Sequence, residues 1–125
     1  MNIKTIRNQN IAIANKGDKI TNAQDILDMM ASSQYQCECI GMVLYKESLN
    51  ESFFDLKTGL AGEILQKFSN YRFKLAIVGD FSHYTSKSLR DFIYECNKGN
   101  MVYFKDDLDS ALSALVPETS KKHEN

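Results

Sequence analysis

The side chains that are most able to bind a ligand or transfer a proton follow a short apolar run in the second half of the chain. They are Asp80, Ser82, His83, Tyr84, Thr85, Ser86 and Lys87. Hydroxyl, imidazole, carboxylate and ammonium groups in one loop can bind an anion or exchange protons. Because open α/β sheets bind ligands beyond the carboxyl ends of their strands, the loop is a candidate site for a small anionic ligand. His83 and Asp80 are its candidate proton carriers.

The same residues also have a purely structural interpretation. Thr85 or Ser86 can cap the following helix, and Asp80 can end the strand by accepting hydrogen bonds from loop amides. His83 and Tyr84 then lie on the loop as ordinary surface residues. Hydroxyls are common at helix starts, so the structural interpretation is favoured and the ligand site is the alternative.

The soft metal ligands of this chain are few and scattered. It has three cysteines and two histidines, and Cys37 and Cys39 are one residue apart. That is not the usual spacing of a zinc pair, and an odd number of cysteines forms no disulfide framework. Cys96 falls on an apolar helix face, and His83 and His123 belong to other segments. We therefore expect no metal and no cofactor, and a function that is more plausibly non-enzymatic.

Four amphipathic helices are predicted around these residues. Apolar side chains recur at the i, i+3, i+4 and i+7 spacing of one helix face. The four sets are residues 23, 26, 27, 30; residues 61, 64, 65, 68; residues 89, 92, 93, 96; and residues 108, 111, 112, 115. Thr21 and Gln24 have the spacing of a capping box at the start of the first helix.

Short apolar runs between these helices predict strands that are buried on both faces. The runs are residues 40–45, 73–78 and 101–104. Two alternating segments before them, residues 3–7 and 11–14, predict a hairpin whose turn is formed by Asn8, Gln9 and Asn10. The fold class is therefore α/β: a single domain with a mixed, mostly parallel five-stranded sheet and four main helices, in the order ββαβαβαβα.

The segment from residue 48 to 58 is too long for a tight turn and carries two phenylalanines. We expect a short helical turn that packs Phe53 and Phe54 over the sheet, with Asp55 as a cap at the start of the second helix. Small residues at Gly59 and Gly62 also allow that helix to pack closely against a neighbour. Residues 1–116 are expected to form the domain and residues 117–125 a flexible tail.

Composition and charge narrow the classes of partner. The 125 residues carry 15 Lys and Arg against 16 Asp and Glu, for a formal net charge of -1. No basic stripe indicates a nucleic-acid surface. The first residues lack the continuous apolar region of a secretory signal, and no apolar run reaches the roughly 20 residues of a membrane span. These patterns predict a cytoplasmic protein, and leave homodimer formation open.

Two long stretches resemble a known bacterial family. FFDLKTGLAGEILQKF, residues 53–68, and KLAIVGDFSHYTSKSLRDFIYE, residues 74–95, are similar to the family called domain of unknown function 4180. The resemblance covers most of the chain. No established activity comes with that family.

The order of elements also resembles, more distantly, the STAS fold of anti-sigma-factor antagonists and of Sec14-type lipid-handling domains. The closing strand MVYF followed by KDDLDSALSAL is similar to the end of such domains. In the antagonists the motif F-x-D-S-S-G-L-G follows the third strand, and a partner kinase phosphorylates the second serine of this motif. Thr58 matches that serine, and Gly59 matches the glycine that follows it. Asp55 matches the aspartate of the motif. Here one extra residue separates acid and hydroxyl, and Lys57 stands beside the acceptor.

This resemblance implies a regulatory or protein-interaction module. Its contact site would comprise Asp55, Lys57, Thr58 and Gly59, and its partner would be a kinase or another regulator. Phosphorylation of Thr58 would place negative charge next to that partner. The alternatives are a small anionic-ligand domain using residues 80–87, and a lipid carrier, for which so short a chain leaves little room.

Overall fold

Strands and helices alternate along residues 1–118, which are the residues that the computed structural model describes. The strands are β1 (Asn2–Ile6), β2 (Gln9–Ile13), β3 (Cys39–Tyr45), β4 (Lys74–Val78) and β5 (Val102–Lys105). The helices are α1 (Ala23–Cys37), α2 (Leu60–Asn70), α3 (Lys87–Lys98) and α4 (Leu108–Leu115). Three short 3-10 turns, Lys46–Ser48, Glu51–Phe54 and Leu56–Thr58, separate β3 from α2. The predicted single α/β domain with a five-stranded mixed sheet and four helices is confirmed.

The five strands lie in the sheet in their order along the chain. β1 pairs antiparallel with β2, and the pairs β2–β3, β3–β4 and β4–β5 are parallel. Parallel crossovers are almost always right-handed, so three successive steps in one direction place their helices on one face of the sheet. The apolar side chains of α1, α2 and α3 accordingly pack in one core cluster with inward residues of β2 to β5.

The opposite face of the sheet is covered by α4. Ala111, Leu112 and Leu115 pack there against Val43, Ala76 and other residues of the parallel strands. The central strands are therefore buried on both faces, as their continuous apolar runs predict. Side chains from the sheet hold the end of α4: the Lys74 ammonium donates to the Leu115 carbonyl at 3.3 Å, and Arg7 donates to the Val116 carbonyl at 2.8 Å.

The hairpin turn is formed only in part by the residues predicted for it. Its two central residues are Arg7 and Asn8, with φ values of 48° and 69°. Positive φ at both central residues is typical of the tight two-residue turns whose twist matches antiparallel strands. Gln9 and Asn10, expected in the turn, belong to β2 and pair with Ile6 and Thr5.

The start of α1 also differs from the predicted capping box. Asn22 is the N-cap, and its side chain accepts a hydrogen bond from the Asp25 backbone N–H at 2.9 Å. Asp25 in turn accepts from the Thr21 backbone N–H at 3.1 Å. Asn22 and Asp25 have the spacing of a capping box one residue later than predicted, because an asparagine oxygen caps as well as a threonine hydroxyl. The second bond differs from that motif, since Asp25 accepts from the residue before the N-cap and not from the N-cap itself.

Residues 119–125 lie outside the described part of the chain. They include His123 and most of the predicted tail, so the division at residue 116 stays a prediction. Within residues 1–118, no helix combines the length and the apolar character that a membrane crossing requires.

The outer edge of β5 is partly closed by a side chain. The Asn97 amide accepts from the Phe104 backbone N–H at 2.8 Å and donates to the Phe104 carbonyl at 3.2 Å. It thereby satisfies the two backbone groups that a further strand would otherwise bind. Phe104 itself is 4% exposed, so these backbone groups lie in a poorly hydrated environment.

We expect Asn97→Ala to lower the free energy of unfolding by about 1–3 kcal/mol, because it leaves the N–H and carbonyl of Phe104 without partners. Urea unfolding followed by circular dichroism measures the change. Asn100→Ala, an exposed asparagine in the next loop, is the matched control and should change little. Equal stability of the two variants would show that the Asn97 contacts contribute nothing.

Candidate functional site

Two loops form the candidate site where the parallel strands end. One follows β3 and covers residues 46–59, and the other follows β4 and covers residues 79–87. Because β3 and β4 are parallel neighbours, their carboxyl ends lie side by side. We call these two loops together the carboxyl-edge surface. It contains every site residue that the sequence predicts.

Backbone and side-chain hydrogen bonds link the loop after β3 to the loop between β2 and α1. The Ser48 hydroxyl donates to the Lys16 carbonyl at 3.0 Å. The Ile20 backbone N–H donates to the Ser48 carbonyl at 2.8 Å, and the Asn50 N–H donates to the Ile20 carbonyl at 3.1 Å. Ser48 and Leu49 are buried as a result. The segment therefore has a defined position despite its irregular form.

Aromatic rings join the two loops. The ring of Phe54 stacks on that of Tyr84 with centroids 5.2 Å apart, and it lies 6.0 Å from the ring of Phe81. Phe81 in turn packs edge to face on Phe104 of β5 at 5.3 Å. Phe53 and Phe54 are 2% and 5% exposed, so the predicted packing of these rings over the sheet is confirmed. The two candidate sites are thus parts of one surface.

Thr58 lies on the exposed side of this surface, immediately before α2. Its Oγ1 is 2.9 Å from the carbonyl oxygens of both Ser52 and Asp55, which share its single proton. The same oxygen accepts a hydrogen bond from the Leu60 backbone N–H at 3.2 Å. The hydroxyl therefore satisfies one of the free amide groups at the start of α2.

The predicted cap by Asp55 is wrong for α2. Its carboxylate accepts from the Lys57 backbone N–H at 3.1 Å and so begins the last 3-10 turn. Gly59 is the N-cap of α2, and its φ of 76° lies in the left-handed region that favours glycine. Asp55, Lys57 and Gly59 are all exposed.

The close-packing interpretation of the two glycines near the start of α2 is also wrong. An added Cβ would meet no atom within 4 Å at Gly59 or at Gly62. Gly59 is explained by its backbone conformation, and Gly62 faces solvent. The buried positions of this helix are Ala61, Ile64 and Phe68.

The polar residues of the second loop make mainly local hydrogen bonds. Asp80 accepts from both the backbone N–H and the hydroxyl of Ser82, at 2.9 and 2.6 Å. These bonds, helped by the positive charge of Lys46 and by His83, hold the pKa of Asp80 below its ordinary value. Ser86 caps α3 by accepting from the Leu89 backbone N–H at 3.2 Å. The structural roles expected for Asp80 and Ser86 are both present.

Lys87 and Thr85 are exposed on the outer side of the loop. Lys87 forms an ion pair with Asp91 one helical turn further along α3, at 2.7 Å. Its ammonium group is therefore already neutralised by a neighbour on its own helix. An anion held by this loop would have to compete with Asp91.

A second cluster of titratable groups lies between the two loops. The Lys46 ammonium is 3.4 Å from His83 Nε2 and 5.0 Å from the centre of the Tyr84 ring. The imidazole of His83 packs against the same ring with centroids 4.3 Å apart. The Tyr84 hydroxyl donates to the carboxylate of Glu51, 3.4 Å away. Burial, followed by the nearby charge of Glu51, raises the pKa of Tyr84 to about 12.

The charge around this cluster disfavours a small anion. A groove of about 300 Å³ runs beside it and is lined by Lys46, Glu47, Leu49, Glu51, Gly79 and Asp80. Three carboxylates face one ammonium there, so an added anion would meet net repulsion. Within residues 1–118, no three His, Cys, Asp or Glu side chains are grouped as a metal site would require.

Lys46, Glu51 and Phe54 contribute to this surface but are not among the predicted site residues. Lys46 is the residue directly after β3, the position that predicts a ligand contact in a parallel sheet. That signal was available in the apolar run ending at Tyr45. Nothing in the order of residues brings Glu51 to Tyr84, which is 33 positions away.

A family model described as "Domain of unknown function (DUF4180)" matches residues 6–115. Neither the curated proteins nor the solved structures contain a match to the chain. The match covers both loops of the carboxyl-edge surface.

Gly79 follows the last residue of β4 and allows the chain to pass close to Lys46. A Cβ added at Gly79 would lie 2.5 Å from the Cβ of Lys46, which cannot move without its backbone. We expect Gly79→Ala to lower the free energy of unfolding by about 1–3 kcal/mol through this overlap. Thermal and urea unfolding measure it.

Gly62→Ala is the matched control for that substitution, since its added methyl group meets nothing within 4 Å. We expect it to be neutral, or more stable by up to about 1 kcal/mol, because alanine favours helix. If the two variants unfold alike, crowding at Gly79 is not important.

Ionisation of Tyr84 makes the free energy of unfolding depend on pH in the alkaline range. Its pKa rises from 10.0 when unfolded to about 12 when folded, so the folded chain holds the proton more tightly. The resulting stabilisation is complete below pH 10 and disappears as the pH approaches 12. We therefore expect Tyr84→Phe to lose less stability than the wild type over this interval, as measured by urea midpoints relative to neutral pH.

Tyr94→Phe is the control, because Tyr94 is 63% exposed and lies outside the cluster. Tyr103, whose pKa is also raised by burial, is present in both variants. An alkaline decline that is as steep in Tyr84→Phe as in Tyr94→Phe would contradict the assignment.

Proposed function

This chain belongs to the DUF4180 family, which is described as a domain of unknown function, and we propose its function from the carboxyl-edge surface. The protein is a non-enzymatic regulatory module of the STAS type. It binds a protein partner through this surface, and Thr58 is its phosphoacceptor.

The observation that carries the proposal is the contact of Phe54 with Tyr84 and Phe81. Through it, residues 55–59 and 80–87 become one continuous surface instead of two separate sites. A groove of about 400 Å³ lies between them, lined by Asp55, Leu56, Lys57, Ser86 and Ser88. Its lining combines one acidic side chain, one basic side chain and two serines with Leu56, and such a mixture suits a peptide or protein surface better than an acyl chain.

The position of Thr58 supports a role in phosphorylation. Thr58 is an exposed residue, and its hydroxyl lies next to the first amide groups of α2. A phosphoryl group on Oγ1 would experience the positive end of the helix dipole and the adjacent Lys57. The modified oxygen could no longer donate to the carbonyls of Ser52 and Asp55. Phosphorylation would thus change both the charge and the shape of the last 3-10 turn.

The environment of the titratable groups favours recognition over catalysis. Asp80, Ser82 and His83 are exposed, and the low pKa of Asp80 is due first to its own neighbour Ser82. Catalytic groups work best in water-excluded sites, where electrostatic interactions are strong. The cluster around Lys46 is only partly buried, with Glu51 and His83 exposed, so it is better suited to forming hydrogen bonds with a partner.

Mass spectrometry of the full chain purified from its native host tests the proposal. We expect a covalent phosphoryl group that maps to Thr58 and is absent from Thr58→Ala. Thr85→Ala is the matched control, because Thr85 is an exposed threonine of the same surface; it should leave the modification unchanged.

Photo-crosslinking tests the contact surface separately. A crosslinking amino acid placed at Lys57 should yield a partner whose amount differs several-fold between Thr58→Glu and Thr58→Ala. The same amino acid at Lys98, at the end of α3, is the control. An unmodified Thr58 together with identical crosslinks in both variants would contradict the proposal. A bound mass that is lost on denaturation would favour the small-ligand alternative.

A further inference from the structure

Cys37 and Cys39 lie at the junction of α1 and β3. Cys37 is the last residue of the helix, and Cys39 is the first residue of the strand. Glu38 between them is in the left-handed conformation, with φ 53° and ψ 40°. Its backbone N–H donates to the carbonyls of Gln34 and Ser33, which fixes this conformation as the cap of the helix.

The conformation of Glu38 determines the distance between the two cysteines. Across trans peptide bonds, the separation of Cα atoms two residues apart depends on the φ and ψ of the residue between them. Glu38 is close to the mirror image of a helical residue, for which this separation is about 5.4 Å. Disulfides span Cα separations of about 4.4–6.8 Å, with most between about 5.5 and 6 Å. The Cα separation that this conformation gives therefore lies within the range of a disulfide.

Both side chains also point to the same side of the sheet. Cys39 is a member of the core cluster beneath α1, α2 and α3, and Cys37 packs against that cluster. In a regular strand residues two apart also share a face, but their Cα atoms are about 6.6 Å apart, so the left-handed residue shortens the distance between the pair.

The two thiols differ in their access to solvent. Cys37 is half-buried and lines a surface cavity of about 140 Å³ with Met1, Ile3, Ser32, Ser33 and Gln36. Cys39 is 5% exposed. Burial, and then the neighbouring Cys37, raise the pKa of Cys39 to about 11. A small oxidant therefore reaches Cys37 first and finds Cys39 behind it as a protonated thiol.

We propose that Cys37 and Cys39 form a reversible thiol–disulfide site that is oxidised by hydrogen peroxide. In the first step the Cys37 sulfur attacks one peroxide oxygen. An S–O bond forms, the O–O bond breaks, and the departing oxygen leaves as water, so Cys37 becomes a sulfenic acid. In the second step the Cys39 sulfur attacks the Cys37 sulfur. The S–S bond forms, the S–O bond breaks, and the hydroxyl leaves with the Cys39 proton as water.

In total, two thiols and one peroxide become one disulfide and two waters. The bond would fix the end of α1 to the first residue of β3 at the amino end of that strand. The carboxyl-edge surface lies at the other end of β3, so this site does not rest on the proposed function.

Peroxide treatment of the reduced full chain tests the inference. After alkylation without reductant, we expect peptide mapping to show residues 37 and 39 linked within one chain, with the loss of two hydrogen atoms. Reduced glutathione should restore both thiols. Cys96 is the internal reference, since it is half-buried and has no cysteine beside it in the described chain. We expect it to remain a thiol that is alkylated after unfolding.

Variants separate the two steps. Cys39→Ser should accumulate a sulfenic acid at Cys37, which dimedone traps. Glu38→Gly keeps access to the left-handed conformation and should form the disulfide at least as fast as the wild type. Glu38→Val disfavours that conformation and should form it several-fold more slowly. Both thiols remaining free after peroxide, or a bond that joins two chains instead, would overturn the proposal.

Discussion

Burial of the sheet on both faces is the constraint on which this structure depends. The strands follow one another in sequence order, so the three right-handed crossovers place α1, α2 and α3 on one face. The parallel strands are apolar on their other face as well, and a single helix has to cover it. The chain meets this requirement with α4, whose end is held by Lys74 of β4 and by Arg7 of the hairpin turn. The last helix is thus as important to the fold as the strands that it covers.

The same topology explains where the candidate site lies. In a sheet of sequential order there is no point at which the strand order reverses, and so no crevice of the kind that opens between diverging loops in doubly wound sheets. The loops after β3 and β4 instead lie side by side on one face and pack on each other through Phe54 and Tyr84. What results is a broad surface with shallow grooves. A surface of this form is better suited to a macromolecular partner than to an enclosed substrate.

Much of the fold was predictable from the sequence, because helical and strand periodicity directly reflect which side chains face the core. The class, the element order and the antiparallel hairpin followed from that pattern. Details set by single hydrogen bonds did not: Asn22 instead of Thr21 caps α1, and the hairpin turn includes Arg7 at positive φ. Many polar residues of the carboxyl-edge surface were among the predicted site residues, but Lys46 and Glu51 were not. The joining of its two loops was not predictable either, since the contact of Phe54 with Tyr84 links positions 30 residues apart. The periodicity of apolar residues along the sequence does not predict a contact of this kind.

The side-chain amide of Asn97 makes the two lateral edges of the sheet unequal. At β5 the amide takes the place that a sixth strand would fill, whereas β1, in the part of the chain that the structure describes, pairs with β2 alone. The edge of β5 is therefore less open to strand pairing than the edge of β1. Two copies that met through β1 about a two-fold axis would use up the open edge of each, and the assembly would close as a pair. With both edges open, copies could add without limit, as they do in a fibre. One asparagine thus makes edge pairing less favourable at β5 than at β1.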